Sequence, residues 1–132
     1  MVLIDTSVWI VLFRDKTGNE KQKLSSFIRN QDVVLTRFNQ LELLQGCKDE
    51  HEWSLLYEYL LSQEYLETKE STWAGAARIY FELRRAGKTV RSPIDCCIAQ
   101  LSLENDVPLL HRDSDFEIIA SIRPLRHINI NN

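Results

Sequence analysis

The sequence predicts a three-layer α/β domain with a short central parallel sheet, an α/β/α sandwich. Three observations point there. Short, wholly apolar runs stop abruptly at polar residues, amphipathic helical stretches lie between them, and no repeat or Pro/Gly-rich linker interrupts the alternation. Strands that are apolar on both faces need cover on both faces, which alternating helices supply. With 132 residues, 44% of them hydrophobic, and a net charge of only -3, the chain is expected to be ordered. It is also expected to form a single domain spanning residues 1–132.

Taken in order, Val2-Leu3-Ile4 reads as a buried strand ending near Asp5, and Val8 to Phe13 as a short helix. Leu24, Phe27 and Ile28 recur at helical spacing between Asn19 and Asn30. Val33-Val34-Leu35 is the second strand, and the helical period returns at Asn39 through Leu41, Leu43 and Leu44 until Gly46. From about Asp49 to Gln63, Trp53, Leu56, Tyr57, Leu60 and Leu61 fall on one helical face. Core packing is the commoner use of such a stripe, although Trp53, Tyr57 and Leu61 would also suit a groove for a partner helix. A further helix runs from Thr72 to about Ala86 before Gly87, and Ser92-Pro93 opens another through Leu103. Val107 to Leu110 is the third strand, Ser114 to Ser121 a helix, and Ile128 to Ile130 the last strand.

Several function classes drop out. No apolar run approaches the ~18–20 residues that span a bilayer, so no membrane partner is expected. The uncharged stretch from Thr6 to Phe13 has no preceding Lys or Arg, so it does not read as a secretory signal. Cys47, Cys96 and Cys97 are odd in number and lack CxxC spacing, which disfavours a disulfide framework or a zinc site. They fit a reduced, cytoplasmic setting as small apolar residues. The 16 bases against 19 acids argue against nucleic-acid binding through bulk positive charge.

The acids are placed more tellingly. Ligands of open parallel sheets gather outside the carboxyl ends of the strands. Asp5 follows the first strand directly, and Asp113 and Asp115 follow the third after His111-Arg112. If those strands are neighbours, three carboxylates meet at one edge. Glu42, early in the helix after the second strand, and Asp95, just after Ser92-Pro93, can point back toward it. Each acid also has a capping reading. Asp5 and Asp113 can cap the helices that follow them, while Asn39-x-x-Glu42 and Ser92-x-x-Asp95 resemble a cap with an acid at the third helical position. A carboxylate site without His or Cys suits a hard cation, Mg²⁺ or Mn²⁺, which can orient water for attack on phosphorus. Other acid-using folds fit poorly. A haloacid dehalogenase would want an acid where Ser7 stands, and a receiver domain would want a phospho-acceptor where Val33-Val34-Leu35 leads instead into Thr36-Arg37. The P-loop and dinucleotide glycine signatures are absent.

Four segments carry a family resemblance. Ile4-Asp5-Thr6-Ser7-Val8-Trp9-Ile10 resembles the opening of PIN-domain ribonucleases, above all the VapC toxins of bacterial and archaeal toxin–antitoxin pairs. Leu41-Glu42-Leu43-Leu44-Gln45-Gly46, Pro93-Ile94-Asp95-Cys96-Cys97-Ile98-Ala99 and Leu110-His111-Arg112-Asp113-Ser114-Asp115-Phe116 resemble their later acidic motifs, in order along the whole chain. The resemblance implies a Mg²⁺- or Mn²⁺-dependent endoribonuclease, neutralised by a VapB-like antitoxin and homodimeric. It implies Asp5, Glu42, Asp95 and Asp113 as the catalytic quartet. Asp5 and Asp95 would be the main metal ligands, Glu42 and Asp113 would complete the set, and Asp115 would be a peripheral one. Thr6 or Ser7 matches the family's polar residue beside the first acid. Asn39 and His111 depart from the commoner Thr and Thr/Ser, and His111 reads as a strand-end residue rather than a substrate-facing donor. A PIN nuclease of RNA processing, or a non-catalytic PIN-like domain that binds RNA or protein, would share much of this pattern.

Arg78, Arg84, Arg85, Lys88 and Arg91 lie on or after one helix. Arg85 and Arg91 are the candidates for positioning RNA phosphates, with Thr6 and Ser7 as candidates beside the acids. The same basic residues also read as a solvated helix face. Setting the five site acids aside leaves the remaining charge slightly positive, so the acidity is local and directed at a metal rather than spread over the surface.

Overall fold

A computed structural model describes residues 1–131. Among these residues, β1 (Val2–Ile4), β2 (Val33–Thr36), β3 (Glu64–Leu66), β4 (Leu109–His111) and β5 (His127–Asn129) form one sheet in the order β3-β2-β1-β4-β5. Every pairing is parallel. The helices are α1 (Thr6–Arg14), α2 (Asn19–Ile28), α3 (Arg37–Gln45), α4 (Glu50–Leu61), α5 (Glu70–Arg85), α6 (Pro93–Asn105) and α7 (Ser114–Ala120).

Successive strand residues point to opposite faces, and each face carries its own core. Val2, Ile4, Leu35 and Leu110 pack with Val8, Trp9, Leu24, Leu43, Leu44 and Leu60 from α1 to α4. Leu3, Val34, Leu66 and Leu109 pack with Ile79, Leu83, Ile98, Phe116 and Ile119 from α5, α6 and α7. Both faces are therefore dry around β1, β2 and β4, which is why these strands are short continuous apolar runs rather than alternating ones.

The chain enters at the centre, winds outward through β2 and β3, then returns to the other flank of β1 to lay down β4 and β5. Connections therefore leave β1 and β4 in opposite directions. The carboxyl ends of β1 and β4 thus mark the switch point of the sheet, the place where open α/β sheets bind ligands. The registers Leu3↔Leu109 and Ile4↔Leu110 bring the ends of β1 and β4 level.

Several elements differ from the sequence reading. β3 was not expected, because Glu64-Tyr65-Leu66 has no apolar run. Its strand character comes from parallel pairing with β2, Val34↔Glu64 to Thr36↔Leu66. β4 begins later than Val107: that residue's amide closes the end of α6 on the Ser102 carbonyl, and Asp106 adopts a left-handed φ of 52°. β5 is shifted one residue earlier than Ile128–Ile130. α3 begins at Arg37 rather than Asn39, because Thr36 is the cap. The α4 stripe divides: Leu60 is buried and Leu56 partly so, whereas Trp53, Tyr57 and Leu61 are 42%, 43% and 63% exposed. Core packing thus takes only one edge of the stripe, and Trp53 and Tyr57 stack on each other outside it.

Candidate acidic site at the carboxyl edge of the sheet

Asp5 leaves β1 with its amide bonded to the Leu110 carbonyl at 2.9 Å, which carries the β1–β4 pairing past the last strand residue. Its Oδ2 accepts from the Ser7 amide at 3.0 Å and the Ser7 hydroxyl at 2.6 Å, so Asp5 caps α1 while sitting over the sheet edge. Ser7 Oγ also accepts from the Arg112 amide at 3.2 Å, tying the β1 end to the β4 end. Burial pushes the Asp5 carboxyl above the usual carboxylate range, against the lowering effect of the Ser7 bonds.

Asp113 caps α7 through Oδ1, which accepts from the Asp115 amide at 3.0 Å. Its own amide donates to His111 Nδ1 at 3.1 Å, and His111 Nε2 lies 2.9 Å from His127 Nδ1. With Nδ1 accepting, a neutral His111 carries its hydrogen on Nε2 and donates it to His127. Burial, reinforced by nearby His127, pushes His111 down to about 4, so the ring is neutral at physiological pH. His111 is 0% exposed and packs against Phe116. It orients the turn that carries Asp113.

Asp95 is the third residue of α6, whose cap is Ser92 (Ile94 N to Ser92 Oγ, 3.1 Å) with Pro93 in the first turn. Burial, then a hydrogen bond with Asp115, then the charges of Asp5, Asp113 and Asp115 push Asp95 up to about 8. One oxygen each of Asp95, Asp113 and Asp115 lie within 4.8 Å of one another. Asp115, read from sequence as peripheral, belongs to this triad and is itself buried. Asp5 stands beside the triad, close enough for its charge to act on Asp95.

Glu42 approaches from α3. Its Oε1 accepts from Thr6 Oγ1 at 2.9 Å, and Thr6 Oγ1 accepts from Asn39 Nδ2 at 3.0 Å. Asn39 Oδ1 in turn accepts from the Thr36 amide and hydroxyl, both at 2.9 Å. Thr36 and Asn39 therefore form the α3 capping box, and the expected Asn39-x-x-Glu42 box is replaced by one that begins three residues earlier. This relay is the part of the site that sequence reasoning missed. Its signal was Thr36-x-x-Asn39 directly after a strand, hidden because Asn takes the place usual for Glu or Gln. Burial, then the charges of Asp5 and Asp113, raise Glu42 against the lowering bond from Thr6.

Of the expected basic residues, Arg91 reaches the site. Its Nη2 lies 2.5 Å from Asp113 Oδ2, its Nε 3.3 Å from Asp115 Oδ2, and its amide donates to the same Asp115 oxygen at 3.0 Å. Arg85 lies exposed in the last turn of α5, its guanidinium 5.5 Å from the Phe81 ring. Arg78 pairs with Glu82 on the same helix, and Lys88 bonds the Ser121 hydroxyl. A groove of about 860 Å³ opens beside Glu42. Its floor includes Ile10, Leu43, Leu56 and Tyr59, and Arg14, Lys16 and Lys48 also line it. It lies between α1, α3 and α4 rather than on the Trp53–Tyr57–Leu61 stripe.

A parallel α/β sheet with carboxylates gathered at the carboxyl ends of its central strands, an all-oxygen set of the kind hard cations prefer, defines the class of protein. The chain belongs to the PIN domain family, whose family model matches residues 2–122. It is similar to Ribonuclease VapC11 of Mycobacterium tuberculosis, with 35% identity over 131 residues and 96% of each chain covered. Its fold is shared by VapBC-1 from nontypeable Haemophilus influenzae, with a TM-score of 0.78, 17% identity and 100% of each chain covered. It is shared equally by FitAcB from Neisseria gonorrhoeae, with a TM-score of 0.77, 22% identity and coverage of 100% of this chain and 99% of that one. Among the described residues no helix is long and apolar enough to cross a membrane.

Proposed function

We propose that this chain is a Mg²⁺- or Mn²⁺-dependent endoribonuclease, the toxin of a VapBC-like toxin–antitoxin pair. The observation that carries the reading is the convergence of Asp95, Asp113 and Asp115, with Asp5 and Glu42 beside them, at the sheet's switch point in a PIN-family chain.

The donor set fits the group. It offers carboxylate oxygens without Cys or His ligands, and hard divalent cations prefer oxygen and retain waters. When bound, such an ion supplies Lewis-acid polarisation of the phosphate and lowers the pKa of water at the site. Asp95, Asp113 and Asp115 would hold it, with Asp5 as a further ligand whose carboxylate is oriented by Ser7. Glu42, held by the Thr6 hydroxyl, keeps its carboxylate near Asp5 and Asp113, where it can accept a hydrogen bond from water and aim it at phosphorus. Thr6 and Ser7 orient acids first and substrate only through them. Arg91, and more distantly Arg85, supply guanidinium forks suited to RNA phosphates.

In this reading residues 1–132 work as one domain, paired as a homodimer and neutralised by a VapB-like antitoxin. The apolar floor of the groove beside Glu42 suits a segment of that antitoxin better than the exposed α4 stripe does.

Induction of wild type and Asp5→Asn in a bacterial host, with sequencing of new RNA 5′ ends, tests the proposal. Growth arrest and discrete new ends are expected for wild type only. Equal growth with identical RNA ends would refute the toxin assignment. In vitro, RNA cleavage should stop with EDTA and return with Mn²⁺ or Mg²⁺.

A further inference from the structure

We propose that Arg91 is an internal counter-ion that competes with the divalent cation for Asp113 and Asp115, and that its guanidinium, once displaced, engages an RNA phosphate. The inference rests on the metal-dependent reading of the site above.

Three features of Arg91 support it. The first is which oxygens it takes. Asp113 Oδ1 accepts the Asp115 amide, and Arg91 Nη2 takes the other oxygen, Oδ2, at 2.5 Å. Arg91 Nε takes Asp115 Oδ2 at 3.3 Å. These are acids of the triad whose oxygens converge within 4.8 Å. A cation on the same oxygens would face the guanidinium across a partly desolvated gap, where like charges interact strongly.

The second feature is an exposed head on a tethered backbone. The Arg91 side chain is 75% exposed, while those of Asp113 and Asp115 are 16% and 6% exposed. Little packing opposes rotation of the stem. The Arg91 amide keeps its 3.0 Å bond to Asp115 whichever way the side chain points. Exchange of guanidinium for cation is therefore a rotamer change, without rearrangement of the loop before α6.

The third is selectivity. The other ion pairs among the described residues join Arg37 to Glu67, Lys48 to Glu52, Arg78 and Arg123 to Glu82, and Arg126 to Asp106, and none touches the acid cluster. Arg91 alone offsets the cluster's charge. Once displaced, its planar fork remains beside the site and matches a phosphate bidentately. One residue would thus weaken metal binding to the free protein and strengthen substrate binding to the loaded one.

The test is Mn²⁺ titration calorimetry on wild type, Arg91→Gln, Arg91→Lys and Asp95→Asn without RNA, followed by cleavage kinetics on one RNA. Arg91→Gln should bind Mn²⁺ more tightly, by ~5-fold or more, since the coupling between the two cations is reciprocal. Its KM for RNA should rise by more than its kcat falls. Arg91→Lys, which keeps charge but loses the fork, should lie between in both respects. Unchanged or weaker Mn²⁺ binding in Arg91→Gln, with binding lost in Asp95→Asn, would overturn the competition while leaving the metal site standing. An unchanged KM would overturn the phosphate role. Absence of Mn²⁺ binding in wild type would overturn both the metal reading and this proposal.

Discussion

The Thr6 hydroxyl, in the first turn of α1, donates to Glu42 Oε1 in α3 at 2.9 Å across 36 residues of sequence. The same oxygen receives the Asn39 amide group, so one buried hydroxyl joins the cap of α3 to the outermost acid of the cluster. Glu42 alone among the five acids is carried by the helix that follows β2. Its position therefore depends on this relay, which runs from the cap of α3 to Thr6 just after β1.

Thr6→Val removes the hydroxyl while keeping the shape. RNA cleavage should fall about 10–100-fold, the usual loss when a group that orients a metal-site ligand is removed. Thr6→Ser should retain most activity. Cleavage rates on a fluorescently quenched RNA would decide this, and equal rates for Thr6→Val and wild type would show that Glu42 needs no tether.

Asn39 is 0% exposed, and its side chain satisfies the Thr36 amide, the Thr36 hydroxyl and Thr6 together. Asn39→Ala leaves buried donors unpaired, at a cost of about 1–3 kcal/mol for such a group. Urea denaturation should show a lower midpoint with an unchanged slope.

In metal-free protein the crowded acids should make stability fall with rising pH. Asp95 keeps its proton to about 8 in the fold but releases it near 3.8 when unfolded. Between those values the folded state binds more protons, so raising the pH favours unfolding. His111, pushed down to about 4 from 6.5, acts with opposite sign below 6.5, so the window from about 6.5 to about 8 isolates the acids. Melting temperature in EDTA should fall across that window, and Asp95→Asn should flatten the slope. Saturating Mn²⁺ should raise the melting temperature most at the upper end, because it binds the ionised form. A rise in metal-free stability from pH 6.5 to 8 would contradict this account.

On α5, Arg123 and then Arg78 hold the Glu82 carboxyl down to about 2. Its folded value lies below its unfolded 4.5, so its contribution is present above 4.5 and lost as pH falls toward 2. Glu82→Gln should shrink the acid-induced loss of helical circular dichroism between those values. Salt should shrink it in wild type too, because Arg78, one of the two partners, is well exposed.

The residues that read clearly from sequence are those whose local pattern and final role coincide. Val2-Leu3-Ile4 and Val33-Val34-Leu35 are strands because both faces are buried, and burial on both faces writes itself as an unbroken apolar run. Ser92-Pro93 starts α6 because Pro belongs in the first turn. Asp5 and Asp113 both cap helices, and both stand beside the other acids, so a capping role and a place at the strand ends are compatible. β3 was invisible because an edge strand of three residues takes its conformation from its neighbour. The exposed half of the α4 stripe was invisible too, because helical spacing reports a face and not what covers it.

By itself, then, the sequence determined the α/β plan, the family, and which acids stand at strand ends and helix starts, since all of these are encoded in local patterns of apolarity and capping. Tertiary structure alone decided that β4 lies beside β1, that Asp115 joins Asp95 and Asp113 at the centre, that Thr6 and Asn39 hold Glu42, and that Arg91 reaches the acids. Those facts depend on pairings between residues far apart in the chain. Strand order and side-chain contact across such distances are set by how the two cores close around the sheet, and no short segment carries that information.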